Sequence, residues 1–179
     1  MKILLVNVPI WRDTGFVSAY NPGMGLLYIG AVLREKGHDV RIIDAEAYRW
    51  WYEEILLECK SGGYNHVGLG CLSNGLDSAM RLAEMLKREI PGIWISLGGV
   101  GPSADVEKAQ TSCADSICVG EGESVAEKVF LEKGVHYGGP IEELASLPLP
   151  AYDLLEPAVG SKYWGGNLPT PEVNNVRET

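Results

Sequence analysis

Residues 94–109 read WISLGGVGPSADVEKA. An apolar start stops at Gly98-Gly99, Gly101 and Pro102 follow, and the remainder is polar. A strand, a tight turn and a helix would give that order of residue types. The paired glycines admit a second reading, in which something large lies against the backbone at the turn. Outward from this unit the pattern repeats. Apolar, β-branched-rich runs at 3–8, 40–44, 67–72, 93–97 and 116–119 recur at βα-unit spacing. Their near-continuous hydrophobicity suits strands buried on both faces of a parallel sheet.

Helical patterns lie between them. Residues 25–36 carry Leu26, Ile29 and Leu33 on one face, with Gly37 placed to end the helix. Ser73 or Asn74 is placed to cap a helix whose stripe is Leu76, Met80, Ala83 and Leu86. Weaker patterns cover 52–58 and 106–112, and a last helix is expected over 123–132. The alternation predicts an α/β fold, a five-stranded parallel doubly wound sheet of flavodoxin-like or Rossmann-like type in the order 2-1-3-4-5. Beyond residue 134 periodicity fades. Residues 1–134 are expected to form the domain, and 135–179 an irregular C-terminal tail serving as linker or bridge.

Composition removes several function classes. The net charge of −9 argues against nucleic-acid binding, and no apolar run is long enough to suggest a membrane partner. The four cysteines form no CxxC pair or zinc spacing and read as reduced thiols of a cytoplasmic protein. His38 and His66 precede strands and His136 lies in the tail, so no metal cluster, catalytic triad or other catalytic residue is indicated.

Ligands of such sheets sit at the carboxyl ends of the strands. There the chain offers PIWRDTGFVSAYNPGMG after the first strand, then GCLSN, GGVGPS and GEGES. Small residues dominate, which predicts a broad, shallow platform. NPGMGLLYIG is not a dinucleotide fingerprint, and Glu121 and Glu123 would repel phosphate. Strand 3 ends in Cys71-Leu72 where a phosphoacceptor domain needs Asp. A flavin stacked on Trp11 or Tyr20 stays open as an alternative, as does a scaffold or interaction domain that binds no cofactor.

KILLVNVP, GMGLLYIGAVLREKGHDVRIIDAE, VGLGCLS, ISLGGVGPSADVEKA and SICVGEGESV together resemble the N-terminal cobalamin (vitamin B12)-binding domain of B12-dependent radical SAM enzymes. LPLPAYDLL resembles the bridge that precedes their radical SAM barrel. Related cobalamin domains carry D-x-H-x-x-G, S-x-L and G-G after strands 1, 3 and 4. Here Gly70-Cys71-Leu72 stands at S-x-L and Gly98-Gly99 at G-G, while the histidine motif is missing. The resemblance implies cobalamin bound base-off, with no protein histidine on cobalt. It implies cofactor contacts from Tyr20, Asn21, Gly23, Gly70, Cys71, Leu72, Ser73, Asn74, Gly98, Gly99, Val100, Gly101, Pro102, Gly120, Glu121, Gly122 and Glu123. Asn21 to Gly23 could equally start the first helix, and Glu121 and Glu123 either bond corrin amides or favour a helix N-terminus. The parent enzyme, a methyltransferase or cyclase, would also use S-adenosylmethionine and a [4Fe–4S] cluster held by Cx3Cx2C. That motif is absent here, so the chain is expected to work with a barrel in cis or trans and to be inactive alone.

Overall fold

The structure is a computed structural model that describes residues 1–14 and 23–156. In chain order the elements are β1 (Lys2–Asn7), α1 (Trp11–Thr14), α2 (Met24–Glu35), β2 (Asp39–Asp44), α3 (Ala45–Tyr48), α4 (Tyr52–Gly62) and β3 (His66–Gly70). They continue with α5 (Leu76–Glu89), β4 (Trp94–Gly98), α6 (Val100–Ala104), α7 (Val106–Gln110), β5 (Ser116–Gly120), β6 (Gly134–Gly138) and β7 (Leu155–Glu156). Every strand pair is parallel, in the order β6-β5-β4-β3-β1-β2-β7. The expected 2-1-3-4-5 arrangement forms the middle of this sheet. One further strand joins each edge, and both come from the stretch read as tail. The glycine ends of β6 and the two-residue length of β7 hide them from a search for alternation. His136 thereby lies buried on β6.

Two unequal layers cover the sheet. On one face Leu4, Val6, Val67, Leu69, Ile95, Leu97 and Ile117 pack against Ile55 and Cys59 of α4, Leu76, Leu82 and Leu86 of α5, and Ala109 of α7. Burying this many large aliphatic side chains is the main driving force for the fold, at about 1.5–3 kcal/mol for each fully buried one. The other face holds a smaller cluster, in which Ile3, Leu5 and Ile42 meet Leu27 and Leu33 of α2, with Val129 and Phe130. Here α2 approaches closely at one point. A Cβ on Gly30 would lie 2.7 Å from Ile42 Cδ1, so the glycine lets the helix settle on β2.

Three local readings change. Residues 122–130 form two 3₁₀ turns, Gly122–Val125 and Lys128–Phe130, in place of the expected helix. The Val129 carbonyl explains part of this, since it faces the sheet and accepts from Trp94 Nε1 at 2.9 Å and from Ser116 Oγ. A 3₁₀ turn at Ser73–Gly75 leads into α5, which has no side-chain cap. In α2 the fully buried residues are Leu27, Gly30, Ala31 and Leu33, whereas Leu26 and Ile29 are only half-buried.

Asp115 ties the amino edge of the sheet together. Its Oδ2 accepts from the Ile95 amide at 2.9 Å and from Lys87 Nζ, while Lys133 Nζ lies 3.2 Å from Oδ1. Burial pushes its carboxyl upward, but the bonds from Lys87, Ile95 and Lys133 outweigh this and hold it below the ordinary 3.8. A depressed native value means the stabilisation is present above 3.8 and lost as the pH falls through the native value. Asp115→Asn is therefore expected to lower unfolding stability by about 1–3 kcal/mol at neutral pH. Urea titrations at descending pH should show that difference fading below 3.8. A penalty independent of pH would mean the carboxylate charge is not what matters.

Candidate functional site

Alternate residues of a strand point to one face, so the α2 side of the sheet can be read from the register. Leu5, Gly68, Ser96 and Ser116 stand abreast on β1, β3, β4 and β5. One step toward the carboxyl edge come Asn7, Gly70 and Gly98, with Cys118 beside Gly98 and Gly120 closing β5. His66 and Trp94 fill the amino end of this face, and beyond them, from β3 to β5, it carries only glycine, serine and cysteine. α2 cannot follow it down, because its contact with β2 fixes its height. A cleft of about 740 Å³ opens between them.

The cleft is deep where the sequence predicted a shallow platform, because the small residues continue below the strand ends. Its mouth lies at the carboxyl edge, and its inner end reaches Leu5, Gly68, Ser96, Val129 and Phe130. The half-buried Leu26 and Ile29 form the opposite wall. Met24, Leu72 and Val100 stand at the mouth with 40%, 54% and 57% of their surface exposed, so its rim is apolar. The only charged residues in the described lining are Glu121 and Glu123. That charge opposes a dianionic phosphate and suits amide or hydroxyl donors.

Of the residues expected to bind cofactor, Gly23, Gly70, Cys71, Leu72, Gly98, Gly99, Val100, Gly120, Glu121, Gly122 and Glu123 line this cleft. Ser73 and Asn74 are exposed in the turn after β3 and outside its wall. Gly101 and Pro102 are the buried residues of α6 and do not line it. Tyr20 and Asn21 lie outside the described residues. Trp11 bonds the Trp50 carbonyl through Nε1 at 3.1 Å and packs edge-on against Trp51 at 5.7 Å, away from the cleft lining. The sequence reading missed Gly68, Ser96, Ser103 and Cys118. The signal was present as small residues at every second position, G-L-G, S-L-G and S-I-C-V-G.

The two glycines of the opening stretch have different jobs. Gly99 adopts φ +94°, and a Cβ there would sit 2.8 Å from the Cys71 carbonyl oxygen. The chain after β4 crosses the chain after β3 at this point, where Gly101 N–H donates to that same carbonyl at 3.0 Å. Gly99 is thus required by the backbone itself. Gly98 is not, since a Cβ there would make an ordinary 3.5 Å contact with Cys118 Cβ, on the cleft side. Ser103 completes the rim, donating to the Gly99 carbonyl at 2.8 Å and accepting from Gly120 N–H at 3.0 Å.

Burial pushes the Cys71 thiol up to about 12, and burial together with Glu123 raises Cys118 to about 11. Both are protonated at neutral pH and offer no thiolate to a metal. None of the three histidines lines the cleft. His38 bonds Glu127 at 3.0 Å, His66 sits at the start of β3 and His136 contacts the Glu132 carbonyl at 2.8 Å. Among the described residues no group of three or more His, Cys, Asp or Glu could hold a metal ion, and no helix is long and apolar enough to cross a membrane.

A family model described as the B12 binding domain matches residues 17–130, most of the chain and all of the described cleft lining except Leu5 and Asn7 of β1. The chain belongs to the B12-binding domain family. The chain is also similar to two curated proteins. An uncharacterized methyltransferase of Pyrococcus horikoshii is 27% identical over 87% of this chain and 39% of its own length. The anaerobic magnesium-protoporphyrin IX monomethyl ester cyclase of Synechocystis sp. is 31% identical over 73% of this chain and 27% of its own length. The chain thus spans less than half the length of either.

The two glycines make different demands on the fold. Gly99→Val, which puts a β-branched side chain at positive φ against backbone, is expected to cost about 1–3 kcal/mol or more of stability. Gly98→Val is expected to melt within a few degrees of the natural chain. Thermal unfolding of both variants checks this, and a Gly99→Val protein as stable as its parent would refute the backbone role.

Proposed function

We propose that the cleft holds the nucleotide tail of cobalamin, with the corrin ring on the apolar rim at the carboxyl edge. The observation that carries this reading is the double row of Gly, Ser and Cys side chains across β3, β4 and β5. An elongated, mostly neutral group can enter there without displacing a core residue. Gly70, Gly98 and Gly120 would let it pass the strand ends, and Leu26 and Ile29 would cover it. Glu121 and Glu123 would accept hydrogen bonds from corrin side-chain amides. The same carboxylates oppose a flavin mononucleotide, whose phosphate finds no cationic partner in the described lining.

Bound cobalamin supplies a cobalt centre able to carry a methyl group. This chain's part is to hold the tail, shield it from water and leave the outer corrin face open. With every histidine away from the cleft, its described lining offers cobalt no imidazole as lower ligand, which supports a base-off state without a protein histidine. We infer that the working partner is a radical SAM barrel in cis or trans, acting in a methyltransferase or a cyclase with S-adenosylmethionine and a [4Fe–4S] cluster. Residues 135–156 support such a bridge. They cross α2, where Ala151 N–H donates to the Leu27 carbonyl at 3.2 Å and Arg34 pairs with Asp153 at 2.6 Å. β7 then runs parallel to β2, toward the edge where the cleft opens.

Titration with hydroxocobalamin, followed by the corrin absorption bands and retention after desalting, tests the reading. Saturable binding is expected, with Gly98→Val weakening it at least tenfold, the order of effect when about 1.4 kcal/mol is lost. After reduction to Co(II), the electron paramagnetic resonance signal should lack nitrogen splitting. Failure to retain corrinoid would remove the proposal, and a nitrogen-split signal would remove the base-off part.

A further inference from the structure

Ser96 lies at the inner end of the cleft and is 4% exposed. Its Oγ is 2.8 Å from Ser116 Oγ, and Ser116 Oγ in turn contacts the Val129 carbonyl. Each hydroxyl has one proton. A carbonyl oxygen only accepts, so the Ser116 proton is committed to Val129. Ser96 must then supply the proton of the Ser96–Ser116 bond. What Ser96 keeps for the cleft is a lone pair and no donor. The surrounding wall is Leu5, Ile29, Ala126, Val129 and Phe130, which offers no competing side-chain polar group.

We propose that Ser96 selects the lower base of the corrinoid, favouring a base with a hydrogen-bond donor on its leading edge. This rests on the reading that the cleft takes the nucleotide tail. A hydroxyl or amino group at the base's inner edge gains a partner in a dry wall. A base with only carbon and hydrogen there leaves the Ser96 lone pair buried without a donor, which is the costly half of the asymmetry in buried hydrogen bonding. Ser116 acts through Ser96 by fixing the direction of the hydrogen-bond chain.

The test compares two complete corrinoids that differ by one group, one with benzimidazole and one with 5-hydroxybenzimidazole as lower base. For the natural chain the hydroxylated form is expected to bind about fivefold tighter or more. In Ser96→Ala that preference should fall to unity. The substitution spares the Ser116–Val129 bond, so a melting temperature near that of the natural chain is expected. Should Ser96→Ala fail to fold, the comparison on the natural chain still decides. Equal binding of the two corrinoids overturns the role of Ser96 and leaves the cobalamin reading standing. Binding of neither overturns both.

Discussion

The structure depends on one packing constraint, the step between large and small side chains on the α2-facing side of the sheet. On β1 and β2 that face is built from Ile3, Leu5 and Ile42, and Gly30 lets α2 settle against them. On β3, β4 and β5 the same face, beyond His66 and Trp94 at its amino end, is Gly68, Gly70, Ser96, Gly98, Ser116 and Cys118. A straight helix cannot descend on both sides of such a step. It rests on the tall side and leaves a gap over the low one. Protein interiors are otherwise packed to the density of organic crystals, so a gap of this size means that a ligand belongs there. The opposite face, filled by Leu82, Leu86, Ile95 and their neighbours, keeps the sheet stable while one side stays open.

The backbone around the mouth is tied by short-range bonds rather than by bulk. Gly101 N–H on the Cys71 carbonyl joins the turns after β3 and β4, and Ser103 joins the ends of β4 and β5. These ties fix the rim in the absence of large side chains. They also place Leu72 and Val100 side by side at the edge, exposed to whatever flat apolar surface lies above. The rim and the cleft thus suit different parts of one ligand, a broad face and a narrow tail.

Much of the fold was legible because long apolar runs and helix ends are local signals. The strand order and the helix stop at Gly37, which has φ +82°, follow from them. β6 and β7 were not legible, since Gly134–Gly138 and Leu155–Glu156 owe their strand form to neighbours far away in sequence. Residues 123–132 carry a helical pattern, yet the Val129 carbonyl is claimed by Trp94 and Ser116. For the site, Gly70, Gly98 and Gly120 were found from the strand ends. Ser96 and Cys118 needed the period-two rule applied to small residues as well as large ones. Gly99 lines the cleft as well, and its φ of +94° adds a backbone requirement that the sequence alone does not display.

The relatives whose alignments cover most of this chain carry other names, a methyltransferase and a ring-forming cyclase. A shared cofactor-holding unit with different reactions is what a fold of this kind permits, because the site and the chemistry reside in different parts. The role proposed for the small-residue face is to take the nucleotide tail. Comparing the affinity of this chain for cobalamin with that for cobinamide, which has the corrin ring but lacks the nucleotide, tests it most directly. At least tenfold tighter binding of cobalamin is the expected result, and equal affinity for the two would contradict it.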